Sequence, residues 1–203
     1  MKNKYLMSIP QNRQLVRDHL NDFVFYSMIL ARYDVKKENV YDPRTLQSDS
    51  EEKVALDNFF NAYEYLLTKN DVEAGYDVLM ELHAILMHDL EEESTNELDE
   101  EQIRQLNEMI NQPAKANTEI ALDAMLFILR GRLFADGDVR VAIAFANKIL
   151  LDRGNGFIAI HPDKAHGFRQ LLKAYNNDEN KAEEFKTWIF KYGIKGRRFD
   201  QFN

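Results

Sequence analysis

The residues best suited to chemistry lie in one short turn between two apolar runs. This turn, residues 132–140, has the sequence RLFADGDVR and places Asp136, Gly137 and Arg140 before an apolar helical run. Backbone N–H groups at a helix N-terminus bind anions, helped by the helix dipole. A carboxylate beside them can hold a metal ion that carries phosphate. The turn is therefore a candidate site for an anion or a metal-bound phosphate.

The same residues also admit a structural interpretation. Gly137 would make the turn, Asp136 would cap the following helix, and Arg140 would pair at the surface. Arg132 is either a phosphate ligand or an ordinary arginine in solvent or an ion pair. Both interpretations stay open from the sequence alone.

The histidines offer little for a metal site. His83 lies on the apolar side of a helical run, which favours a core position, and His88 follows it by five residues. Ligands on one helical face are three or four residues apart, so a zinc site is not expected. His161 and His166 come later and are expected at the surface or in structural roles, although either could supply a base near the turn.

Composition limits the class of protein. The chain has 203 residues, 45% of them hydrophobic, which suits a single domain over residues 1–203. The formal net charge of −8 argues against a nucleic-acid partner, and the lack of cysteine excludes disulfides and thiolate chemistry. No apolar run approaches about 18 residues, so we expect no membrane span, no secretory signal and a cytoplasmic location.

Helical periodicity dominates the chain, and we expect an all-α bundle with at most a short β element at 157–160. Two runs, 119–130 and 139–152, are apolar on most sides and predict a buried central hairpin. Ser48 or Ser50 would cap one helix and Thr118 the central unit. Further helices are expected over 13–33, 51–68, 72–89, 99–111, 163–175 and 179–192, with a frayed start (1–12), a loop (34–50), a solvated acidic stretch (90–101) and an exposed tail.

Four segments, in this order and spacing, resemble the Fic family (the Fic/Doc, or Fido, fold). They are LDNFFNAYEYLL (56–67), LMELHAILMHDL (79–90), NKILLDRGNGFIAI (147–160) and HGFRQLLKAYNNDENKAEEFKTWIF (166–190). The resemblance covers roughly residues 20–190 and implies a helical bundle around the central hairpin. Members of this family typically transfer AMP from ATP to a protein hydroxyl, and some transfer phosphate or other phosphorylated groups.

The resemblance also assigns roles within the turn. The family motif there is His-Pro-Phe-x-(Asp/Glu)-Gly-Asn-Gly-Arg-x-x-Arg. On it, Asp136 takes the place of the metal-holding acid, and Phe134, Gly137, Asp138 and Arg140 take cofactor-binding positions. The implied cofactor is ATP or another nucleotide with Mg²⁺, or none if the site is lost. The implied partner is a target or regulatory protein.

Several motif positions are changed in this chain. Arg132 stands in place of the catalytic His, and an arginine cannot accept the proton of an attacking hydroxyl. Val139 replaces a glycine that lets the backbone approach phosphate, and Asp138 adds negative charge there. Ile143 replaces the second arginine, a bidentate phosphate ligand. Three parts of a phosphoryl-transfer site are impaired together.

Two regulatory elements of the family are also altered. Residues 23–32 fall where an inhibitory helix would lie, with Ser27 at its first position but Ala31 and Arg32 in place of Glu and Gly. No alternating pattern over 91–111 predicts the target-docking β-hairpin.

We therefore expect a divergent Fic-like protein without the usual AMP transfer, with residual nucleotide or phosphate binding. An active transferase with another base or donor, and a pure protein-interaction module, are the alternatives.

Overall fold

A computed structural model describes residues 1–69, 71–90, 98–134 and 137–197. Nearly all of its regular structure is helical, as expected. The helices are α1 (Ile9–Asp18), α2 (Leu20–Leu30), α3 (Lys37–Tyr41), α4 (Glu51–Thr68), α5 (Tyr76–Leu86), α6 (Glu100–Ile110), α7 (Asn117–Gly131), α8 (Asp138–Asp152), α9 (Pro162–Asn177) and α10 (Ala182–Trp188), with 3₁₀ turns at Pro43–Thr45 and Glu179–Lys181. A π-helical turn, Ile189–Gly193, follows α10.

The hairpin of α7 and α8 forms the centre of the bundle. Every residue of α8 from Val141 to Leu151 is buried, because α1, α4, α5 and α7 all pack against it. Its alanines, such as Ala142 and Ala146, let these neighbours approach closely. The predicted buried hairpin is confirmed.

The N-terminal segment is not frayed, so that prediction was wrong. Helix α1 begins at Ile9, and Ser8 caps it by accepting a hydrogen bond from the Gln11 backbone N–H while the Gln11 side chain accepts from the Ser8 N–H. Asn12 is fully buried, and its Nδ2 donates to the carbonyl oxygens of Leu150 (3.1 Å) and Gly156 (3.0 Å). The reciprocal Ser-x-x-Gln cap is a helix-start signal that the sequence does contain.

Three other expectations need correction in detail. The helix expected over 13–33 is divided at His19 into α1 and α2, and the loop expected over 34–50 contains α3. Ser50 caps α4 as predicted. Thr118 is not a cap, because α7 begins one residue earlier; it is buried and accepts a hydrogen bond from the Lys4 backbone N–H at 3.3 Å.

The C-terminal part is less regular than predicted. The helix expected over 179–192 is a 3₁₀ turn, then α10, then the π-helical turn. Of the acidic stretch, residues 91–97 lie outside the described residues, while Asp99 caps α6. The tail expected to be exposed supplies a strand, and its residues 198–203 also lie outside the described part.

A two-stranded antiparallel ribbon closes one end of the bundle. β1 (Phe157–Ile158) pairs with β2 (Ile194–Lys195), which confirms the short β element predicted at 157–160. Asn147 of α8 holds β1 as a neighbouring strand would: its side chain accepts from the Ile158 N–H at 2.6 Å and donates to the Ile158 carbonyl at 3.0 Å.

In the described part of the chain, none of the helices combines the length and apolar character that crossing a lipid bilayer requires.

Asn147→Ala should lower the free energy of unfolding by about 2–4 kcal/mol, because both buried backbone groups of Ile158 lose their partner. Urea unfolding followed by circular dichroism measures this. Asn107→Ala, on the exposed face of α6, is the matched control and should change stability by less than about 0.5 kcal/mol. Equal effects of the two substitutions would contradict the role given to Asn147.

Candidate functional site

The turn between α7 and α8 is set by two residues with left-handed backbone. Arg132 ends α7 with φ 44°, and Gly137 precedes α8 with φ 83°. A β-carbon on Gly137 would lie 2.6 Å from Sδ of Met87, so a glycine is needed there for both backbone conformation and space. Asp136, the predicted metal ligand, lies outside the described residues, as does Ala135.

Phe134 fixes the turn to the bundle. Its side chain is buried, and its ring stacks on His83 with centroids 4.0 Å apart. His83 is itself buried in α5, as predicted for a core histidine. The aromatic residue assigned to cofactor binding is thus also a packing anchor, and its role towards a ligand stays a prediction.

Asp138 places a negative charge at the N-terminus of α8. It is the first residue of the helix, and its Oδ1 accepts a hydrogen bond from the Phe134 backbone N–H at 3.0 Å. A carboxylate at this position interacts favourably with the helix dipole. The N-terminus of α8, which suggested an anion-binding site, therefore already carries the carboxylate of Asp138.

Arg140 points towards α2 and is held by an aromatic side chain. Its Nη1 donates to the Tyr33 hydroxyl at 3.0 Å, and its guanidinium carbon lies 5.5 Å from the centre of that ring. Burial raises the pKa of Tyr33, while the neighbouring guanidinium opposes that rise. No ion pair to Arg140 is found within the described ranges.

The end of α2 lies against the start of α8, where the resemblance places the inhibitory helix. A cleft of about 20 Å³, the room of one water molecule, separates Ser27 and Ala31 from Val139, Arg140 and Ile143. The Ser27 hydroxyl shares a hydrogen bond of 2.9 Å with the Tyr63 hydroxyl, which gives it a structural partner.

An open cleft of about 430 Å³ lies beside the turn. Its size lies in the range that small-molecule ligands occupy. Three of the predicted site residues share this cleft with the apolar end of α7 and one face of α9. The lining residues are Leu129, Arg132, Phe134, Asp138, Val139, Leu172 and Asn176.

A second open cleft, of about 530 Å³, adjoins the first through Arg132, Leu172 and Asn176. Its lining is basic, and no carboxylate of the described residues takes part. The positively charged or chargeable members are Arg32, Arg132, His166, Arg169 and Lys173. We define these five as the basic cleft.

Sequence reasoning missed three members of the basic cleft, Arg32, Arg169 and Lys173. A signal for two of them was present, because positions 166, 169 and 173 lie on one face of a helix. His166, expected at the surface, is exposed and lines this cleft.

Metal ligation finds little support in the described residues. No group of three or more His, Asp or Glu side chains among them could hold a metal ion. Asp136 lies outside these residues. His161 does not face the turn; it caps α9 by accepting from the Asp163 N–H at 3.3 Å and packs edge-on against Tyr26.

Comparison with known proteins identifies the fold. No protein-family model matches the sequence, and no curated protein does. A structure of Fic-1 from C. elegans superposes with a TM-score of 0.72 at 15% sequence identity, covering 90% of this chain and 62% of the other. The chain has the Fic fold.

Further structures agree with this result. A variant of the same C. elegans protein gives a TM-score of 0.66 at 15% identity, with 92% and 66% coverage of the two chains. A Fic-domain-containing signalling protein from Bacteroides thetaiotaomicron gives 0.64 at 15% identity, with 90% and 85% coverage. The chain therefore spans about two thirds of the C. elegans structures, and the Fic fold predicted from its motifs is confirmed.

Phe134→Ala should lower the free energy of unfolding by about 3–5 kcal/mol, because it leaves a cavity against His83 in the Fic-fold core. Phe127→Ala, at a partly buried position of α7, is the control and should cost clearly less. Chemical denaturation of both variants measures the difference. A Phe134→Ala variant no less stable than the control would show that the ring does not anchor the turn.

Proposed function

We propose that this chain is a divergent Fic-fold protein that binds a nucleotide or phosphate ligand beside the α7–α8 turn but does not carry out His-dependent AMP transfer. The observation that carries the proposal is Arg132. The resemblance aligns it with the catalytic His, and its position in the turn between the buried helices α7 and α8 supports that alignment.

Arg132 cannot replace the histidine as a base. Its guanidinium stays protonated in proteins and has no acceptor atom. Of the nearby histidines, His83 is buried against Phe134 and His161 caps α9. The proton of an attacking hydroxyl would therefore lack the acceptor that general-base catalysis requires at this position.

The phosphate-binding part of the turn is weakened as well. The Asp138 carboxylate lies at the start of α8, and Val139 stands where the motif has glycine. Ile143, in place of the second arginine, is nearly buried among apolar neighbours of α2 and α4. Charge repulsion and the lost arginine both disfavour the motif's usual hold on a triphosphate.

Ligand binding is supported by what remains. The cleft of about 430 Å³ beside the turn is large enough for a nucleotide-sized ligand, and Arg132 in its lining supplies positive charge. A Mg²⁺ ion there would depend on Asp136 and on the oxygens of the ligand's own phosphates, since Mg²⁺ is commonly held by one or two carboxylates and substrate phosphates.

One observation favours the second candidate, an active transferase with another base. Among the described residues, His166 is the histidine that lines a cleft together with Arg132. A neutral imidazole there could accept a proton. A cytoplasmic location and a target or regulatory protein partner, both expected from the sequence, stay predictions.

Incubation with [α-³²P]ATP and Mg²⁺, alone and with cell lysate, should give no incorporation of label above that of an Asp136→Ala control, because Arg132 cannot act as the base. Gel autoradiography measures the incorporation. Incorporation by the wild type that is absent in Asp136→Ala would overturn the proposal. If incorporation is also absent in His166→Ala, the second candidate is established instead.

A further inference from the structure

The basic cleft is unusual in a protein with a formal net charge of −8. Its members come from three separate elements: Arg32 follows α2, Arg132 ends α7, and the other three lie along α9. The fold therefore gathers cations that are distant in sequence. Like charges held close together repel each other, so such a cluster lowers stability unless an anion compensates it.

No such anion comes from the described part of the chain. No ion pair joins Arg32, Arg132, Arg169 or Lys173 to a described carboxylate, although many other basic residues here are paired. The polar partners of Arg169 are the carbonyl oxygens of Ile29 and Leu30, at 3.4 and 3.5 Å from Nη1. These carbonyls form the negative end of α2, which positions the guanidinium without neutralising it.

Two of the arginines have an uncommon backbone conformation. Arg32 has φ 71° and Arg132 has φ 44°. For a residue other than glycine, this left-handed conformation costs about 1 kcal/mol or more. Both residues follow the last turn of a helix, where a left-handed residue commonly ends the helix, and both line the same cleft.

The positively charged side chains of the basic cleft favour a ligand with several phosphate groups. Arginine binds phosphate oxygens through two parallel N–H bonds, and several cations together match a ligand with several negative charges. The concave volume of about 530 Å³ suits a small molecule rather than a macromolecular surface. The amide side chains of Gln170, Asn176 and Asn177 can add hydrogen bonds at its edge.

We propose that the basic cleft binds the phosphate chain of a small ligand with two or more consecutive phosphates. It takes over the role that the N-terminus of α8 cannot fill, because Asp138 already places a carboxylate there. This inference rests on the proposed ligand-binding function and specifies where the phosphates lie. The adjoining cleft, which shares Arg132, Leu172 and Asn176, would hold the rest of a nucleotide.

The test is isothermal titration calorimetry at low ionic strength with inorganic tripolyphosphate, ATP and adenosine, all without metal. Tripolyphosphate and ATP should bind, while adenosine should bind far more weakly or not at all. The double variant Arg32→Gln/Lys173→Gln should weaken the binding of both phosphate ligands by tenfold or more, since each lost contact is charge-assisted. Its thermal unfolding temperature should be no lower than that of the wild type, because both side chains are exposed and two mutually repelling charges are removed.

The matched control is Arg17→Gln/Lys164→Gln, which removes the same total charge from exposed positions outside the cleft. It should leave the affinity within about twofold. Absence of tripolyphosphate binding, or an equal loss in both double variants, would overturn the inference.

The two proposals fail in different ways. In a further titration with Mg²⁺, ATP affinity that is lost in Asp136→Ala and kept in Arg32→Gln/Lys173→Gln would show that the phosphate location is wrong while the ligand-binding function stands. If ATP binds and tripolyphosphate does not, the nucleoside rather than the phosphate chain determines binding, and the inference also fails. The labelling experiment with [α-³²P]ATP tests the absence of AMP transfer independently of these two binding results.

Discussion

The packing of α7 against α8 is the constraint on which the rest of the structure depends. Both helices are buried along most of their length, so neither can rotate or slide without exposing apolar surface. The two described ends of the turn, Phe134 and Gly137, are therefore held in place. Phe134 stacks on His83, and Gly137 lies too close to Met87 to accommodate a side chain.

Within that fixed frame, the distribution of charge separates this chain from the family motif it resembles. Helix α8 begins with the Asp138 carboxylate, and in the alignment that we propose Arg132 takes the position of the motif's titratable base. The Fic fold depends on the apolar side chains of the α7–α8 hairpin, whereas Arg132 and Asp138 lie at the ends of these two helices. The side chains that stabilise the fold are therefore different from the side chains that would carry out the chemistry.

Much of this fold could be predicted from the sequence. The helical period gave the bounds of α4 and nearly those of α7 and α8, because their apolar positions are frequent and regular. Only the first turn of α1 lies in the segment expected to be frayed, although its Ser8–Gln11 cap is a local signal. The burial of Asn12 could not be predicted, because its partners are the carbonyl groups of Leu150 and Gly156. Such long-range partners have no local signature.

The candidate site was predictable only in part, for a similar reason. The turn is contiguous in sequence, so its residues could be read together and compared with a motif. The basic cleft is assembled from residues 32, 132 and the exposed face of α9, which only the tertiary structure brings together. The spacing of His166, Arg169 and Lys173 indicated a basic helix face but not what lies opposite it.

We propose that phosphate binding in this Fic-fold protein has moved from the motif turn to the neighbouring cleft. A crystal structure with ATP and Mg²⁺ tests this proposal most directly. The phosphate oxygens should contact Arg32, Arg169 and Lys173, and none should contact the first turn of α8, where Asp138 lies. Phosphate density at the backbone N–H groups of residues 138–140 would contradict it.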